Sequence, residues 1–156
     1  MRVVPLPKAP ELEKLLKGLV QRDVRVRQVE ATPTAPVAVG LYRTDAPAQE
    51  LAVTFELPLA GSLAASLTLV PVGAVKESVA RGQLELSLRE NLAEVMNVLA
   101  RYATMSGRRF GLVQHWCPPE VPDPEVVKAA LASEEIWPMG VEVPGYLGGL
   151  LAFYTL

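Results

Sequence analysis

Four polar residues near the middle of the chain follow one another at spacings of four, three and four: Glu90, Glu94, Asn97 and Arg101. Two carboxylates, an amide and a guanidinium can between them accept hydrogen bonds, donate them and pair with charge. They act together only if one element holds them on one face. The segment from residue 87 to 104 reads SLRENLAEVMNVLARYAT and supplies that element. At roughly 100° per residue, Leu88, Leu92, Val95, Leu99 and Tyr102 fall on one side of a helix, flanked by Met96 and Ala103. The four polar residues fall on the opposite side, within roughly 60° of each other.

Ser87 with Glu90 three residues later reads as a capping box, which gives Glu90 a structural role. Glu90 and Glu94 are like charges one turn apart, an arrangement that costs a few tenths of a kcal/mol. Asn97 is a mediocre mid-helix residue, because its side chain competes for backbone hydrogen bonds. A helix built for stability alone prefers Lys or Gln at such places. The stripe is therefore either a functional surface or a solvated face.

Other residues with chemical potential form weaker sets. A single cysteine, Cys117, and a single histidine, His115, exclude an intramolecular disulfide and leave a Cys/His zinc site short of ligands. They could pair as nucleophile and base, but nothing nearby orients the imidazole. A buried cysteine near a strand end is the expectation. Gly145-Tyr146-Leu147-Gly148-Gly149 precedes no helix and is no phosphate loop. Trp116 and Trp137 could form an aromatic surface or cover core edges. Pro118 to Glu125 is a proline-rich turn that could serve as a docking motif.

The 156 residues suffice for one domain with one core, so residues 1–156 are read as a single domain. Half the residues are hydrophobic and 21% are charged, a globular composition. The net charge of −2 gives no electrostatic footprint for nucleic acid. No secretory signal opens the chain, and a cytoplasmic location is expected. The uncharged run from Leu57 to Val75 is long enough for a membrane span, but its prolines, glycines and hydroxyl residues suit strand, turn and helix entry better.

The elements that must position the stripe follow from periodicity. Residues 1–10 hold three prolines and read as an extended lead-in. Glu11 to Val20 has an i, i+3, i+4, i+7 leucine stripe and predicts a helix. Val24 to Val29 alternates and predicts a strand. Val37–Arg43, Leu51–Leu57 and Leu63–Val70 read as strands of an antiparallel meander, with turns at Asp45-Ala46-Pro47 and Pro58–Ser62. Val72–Arg81 predicts a helix stopped by Gly82. Phe110–Trp116 reads as a strand and Glu125–Ser133 as a short helix. Val141–Val143 and Leu147–Leu156 read as closing strands about Gly145. The apolar run Leu150 to Tyr154 must be a central strand or a dimer edge. The fold class expected is α+β, an antiparallel-rich sheet packed against two longer helices.

The run Leu92-Ala93-Glu94-Val95-Met96-Asn97-Val98-Leu99-Ala100 resembles the signature helix of the CheC/CheX/FliY chemotaxis phosphatases, in which Glu-x-x-Asn is the active motif. The order of elements and the length are CheX-like. The resemblance implies a partner, a CheY-like response-regulator receiver domain, that carries both the aspartyl phosphate and the Mg²⁺. This chain would then bind no cofactor. Asn97 would orient the attacking water and Glu94 would pair with a lysine of the regulator. Glu90 and Arg101 would lie on the partner-binding face. Catalysis would proceed by positioning, without a covalent intermediate on the phosphatase. A homodimer is implied as well, joined through sheet edges or the terminal strand. The pattern departs from the family at Glu90, where Asp or Ser is usual, and at Arg101, where a small residue is usual. Those departures keep a second function open: a non-catalytic interaction or scaffold module of a signalling or motility complex.

Overall fold

The computed structural model describes residues 8–45, 48–104 and 107–156. The elements are α1 (Ala9–Val20), β1 (Arg25–Gln28), β2 (Val37–Arg43), β3 (Glu50–Glu56), α2 (Leu57–Leu67) and α3 (Val72–Arg81). They continue with α4 (Leu86–Thr104), β4 (Gly111–Trp116), α5 (Pro124–Leu131), β5 (Ile136–Glu142) and β6 (Gly149–Thr155). One six-stranded sheet has the order β1-β5-β6-β3-β2-β4. Every adjacent pair is antiparallel. The architecture is α+β, as expected from the sequence.

Strand alternation divides the sheet into two faces. Ala38 and Tyr42 of β2, Val53 and Phe55 of β3, and Leu151 and Phe153 of β6 join the main core with residues of α1 to α4. Val39, Leu41, Ala52 and Trp116 form a smaller cluster on the other side, where Val126 of α5 packs. The apolar run from Leu150 to Tyr154 lies in β6, between β5 and β3, so it is a central strand and not an edge. The edges are β1 and β4.

The largest departure from the sequence reading is α2. Pro58–Ser62 is not a turn and Leu63–Val70 is not a strand: residues 57–67 are helical. Pro58 stands in the first turn, where its missing N–H costs nothing. Leu57, Leu59, Leu63, Ala60, Ala64 and Ala65 are all fully buried, so the helix is apolar on nearly every side and shows no amphipathic period. The meander consequently stops after β2 and β3, and the place beside β3 is taken by β6. Gly61 permits this packing, because a Cβ there would sit 3.0 Å from Val75 Cγ1 and 3.1 Å from Leu84 Cδ2.

Two helix starts also differ. α1 begins at Ala9 with Pro10 in its first turn, so those two residues are helical and not part of an extended lead-in. Residues 1–7 and the Ala46-Pro47 part of the expected turn lie outside the described residues. α4 begins at Leu86, which puts Ser87 inside the first turn. The Ser87 hydroxyl donates to Glu85 Oε1 at 3.3 Å, so the expected capping box with Glu90 is not what opens this helix. Gly82 ends α3 in the left-handed region, φ 74°, as its position predicts.

Candidate functional site

The buried side of α4 is the one its periodicity predicts. Leu88, Val95, Met96, Leu99, Tyr102 and Ala103 are fully buried and Leu92 nearly so. Glu90, Glu94, Asn97 and Arg101 are all exposed. Asn97 thus projects from the helix one turn beyond Glu94, with the fully buried Val95 and Met96 between them anchoring that turn in the core. A rigid buried face carrying a protruding polar one suits a surface that must fit a partner.

Asn91 holds α4 in register against α2, and sequence reasoning missed it. Its amide Nδ2 donates to the Ala64 carbonyl at 3.0 Å and to Thr68 Oγ1 at 2.8 Å. The available signal was an amide between the polar and apolar faces, a place where a helix packed on another element needs a polar contact. At the far end, Thr104 Oγ1 donates to the Ala100 carbonyl at 2.7 Å and accepts from the Phe110 N–H at 3.2 Å. That pair ties the end of the helix to the chain entering β4.

Two depressions border the stripe. A groove of about 680 Å³ runs between α1 and α4, with Glu11, Lys14 and Leu15 on one wall and Glu94, Val98 and Arg101 on the other. Glu90 and Asn97 are not among its lining residues. A shallower depression of about 440 Å³ is lined by Ala100, Arg101, Thr104, Arg109 and Phe110. Arg101 stands on the ridge between the two. Among the described residues, Glu94, Arg101 and Arg109 take part in no ion pair.

The weaker sets separate. Cys117 is 2% exposed, and burial pushes its thiol up to about 11, which disfavours the thiolate a nucleophile needs. His115 lies on β4, half-buried, while Cys117 is already past the strand end. Trp116 belongs to the small cluster under α5, whereas Trp137 packs against the main core, so they form no common surface. Gly145 lies between β5 and β6 with φ 82°, and no helix follows it. Pro118 to Asp123 forms the loop into α5, whose first turn Asp123 caps by accepting the Glu125 N–H. Among the described residues no group of three or more His, Cys, Asp or Glu is placed to hold a metal ion. Nor is any described helix long and apolar enough to cross a membrane; the uncharged run that raised the question contains the buried α2.

No protein-family model and no curated protein sequence matches the chain. Solved structures do. FliM of Helicobacter pylori, in its complex with SpeE, aligns over 94% of this chain and 81% of its own with a TM-score of 0.70 and 7% identity. The FliM middle domain of Vibrio alginolyticus aligns over 94% of this chain and 88% of its own, with a TM-score of 0.62 and 11% identity. CheX of Borrelia burgdorferi, in its complex with CheY, aligns over 91% of this chain and 90% of its own, with a TM-score of 0.47 and 11% identity. The fold of this chain is that of the FliM middle domain.

Proposed function

We propose that this protein docks on a phosphorylated response-regulator receiver domain through the polar face of α4 and promotes hydrolysis of its aspartyl phosphate. The observation that carries this reading is the joint exposure of Glu94 and Asn97 one turn apart on a helix whose other face is locked in the core. Asn97 carries both an acceptor and two donors, so its amide can hold a water in line with the phosphorus. The water's oxygen bonds to phosphorus as the bond to the receiver's carboxylate breaks, and inorganic phosphate leaves. The Mg²⁺ that neutralises the phosphoryl oxygens comes with the receiver. Glu94 pairs with a lysine of the receiver and fixes the docking. Glu90, a turn earlier, extends the contact. The protein acts as a homodimer joined at a sheet edge, for which β1 and β4 are the available strands.

Purified protein is expected to accelerate loss of phosphate from a receiver domain of the same genome with Mg²⁺ present. Asn97→Ala is expected to abolish the acceleration without changing the circular dichroism spectrum. Should no receiver domain be dephosphorylated faster, the enzymatic reading fails.

A second reading is favoured by the fold likeness to FliM. Here the same face of α4 binds a partner without catalysis, as a scaffold of a signalling or motility complex. Arg101 suits that role, since a long cation on the docking face adds contact rather than chemistry. Receiver binding that persists in Asn97→Ala, with no acceleration by the wild type, is the outcome expected of it.

A further inference from the structure

We infer that Arg101 and Arg109 form a clamp for carboxylates of the docked receiver domain, an extension of the α4 face that rests on the receiver-docking reading above. Both residues are exposed and line the same depression, together with Ala100, Thr104 and the largely buried Phe110. Neither is ion-paired among the described residues, in a chain where acids outnumber bases 17 to 15. What sets these two apart is that both line one depression at the end of a polar stripe. The C-terminal dipole of α4 accounts for Arg101, which lies in its last turn. It does not account for Arg109, which lies beyond the helix, just before β4.

The geometry fits a partner of definite chemistry. Arg101 follows Asn97 by four residues, about 6 Å along the helix axis. A receiver's phosphorylation site gathers an acylphosphate and the carboxylates that hold Mg²⁺, a hard cation that takes oxygen ligands. Seating Asn97 at the phosphoryl group brings Arg101 over the acidic rim of that site. Arg109, across the depression, meets the same rim from the side. Guanidiniums recognise carboxylates through paired, directional hydrogen bonds, and the apolar floor lowers the local dielectric. The long side chain at position 101 thus becomes a docking contact.

The test measures binding of a receiver domain loaded with beryllium fluoride and Mg²⁺, by calorimetry, at salt from about 50 to about 300 mM. Wild-type affinity is expected to fall steeply with salt. The double variant Arg101→Ala/Arg109→Ala is expected to bind roughly tenfold or more weakly at low salt, with a flattened salt dependence. Arg101→Lys/Arg109→Lys, which keeps the charge, is expected to recover most of the salt dependence and part of the affinity. Lys128→Ala, an exposed cation of α5 on the other side of the sheet, is expected to bind like the wild type. If the alanine pair binds with wild-type affinity and salt slope while remaining folded, the clamp is overturned and the docking reading stands. If the wild type binds no receiver domain of its genome, the docking reading is overturned and the clamp with it.

Discussion

The phenol of Tyr42, at the heart of the sheet, donates a 2.6 Å hydrogen bond to the backbone carbonyl of Met96 in α4. That carbonyl belongs to the peptide that leads into Asn97, so a core tyrosine of β2 fixes the height of the turn that carries the candidate amide. Burial pushes the phenol's pKa up, which keeps the group a donor throughout the working pH range. Tyr42→Phe is expected to lower stability by about 1 kcal/mol, since Met96 loses one bond while the packing stays. Urea denaturation measures the loss. Under the phosphatase reading the same variant also slows turnover without weakening receiver binding, because the turn is loosened and not removed.

Gly61 is where α2 meets α3 and the Leu84 side chain. Gly61→Ala introduces a methyl group 3.0 Å from Val75 Cγ1 and 3.1 Å from Leu84 Cδ2. The gain in helix propensity, up to about 1 kcal/mol, opposes the strain of displacing both side chains. Gly61→Val adds volume where no room remains and forgoes most of that gain. It is expected to destabilise by roughly 1–3 kcal/mol, read as a drop in melting temperature, with Gly61→Ala close to neutral.

Glu13 links α1 to β1 by accepting the Val26 N–H at 2.9 Å. This bond above all, against the opposing effect of burial and with help from Lys17 and Arg25, holds its carboxyl below the ordinary value. A carboxylate whose folded pKa is depressed contributes stability above its unfolded pKa, about 4.3, and loses it as pH falls through the folded value. Glu13→Gln is therefore expected to destabilise near neutrality and to flatten the decline in stability below about pH 4.5. Thermal melts across that range decide it; an unchanged acid limb contradicts the assignment.

Cys117 is expected to resist thiol reagents in the folded protein. Its thiol is buried and pushed up to about 11, so at pH 8 almost none is thiolate. Ellman's reagent is expected to titrate one thiol in urea and essentially none without it. Rapid reaction of the native protein contradicts the burial.

The elements legible in the sequence were those with one clean period. In α4, Leu88, Leu92, Val95 and Leu99 sit inside and Glu90, Glu94 and Asn97 outside, as a 3.6-residue repeat requires. α3 matched to the residue, since Gly82 marks its end by a conformation other residues avoid. α2 was illegible for the opposite reason: buried from Leu57 to Ser66 on almost every side, it carries no polar face to set a period. The groove between α1 and α4, the Asn91 clamp and the approach of Arg109 to Arg101 are all tertiary relations. Sequence spacing within a helix cannot express them.

The position of β6 makes it the link between two parts of the sheet. Apart from that strand, the pairings of the sheet fall into two pieces, β4-β2-β3 and β1-β5. α1 rides on the first strand of one piece and α4 on the last strand of the other. β6 joins the two pieces, pairing Val53 with Phe153 on one side and Met139 with Leu151 on the other. Tyr102, near the end of α4, closes on the Phe153 ring at 5.2 Å. β6 is thus the seam of the sheet, the one strand whose two neighbours carry the pairings of both pieces.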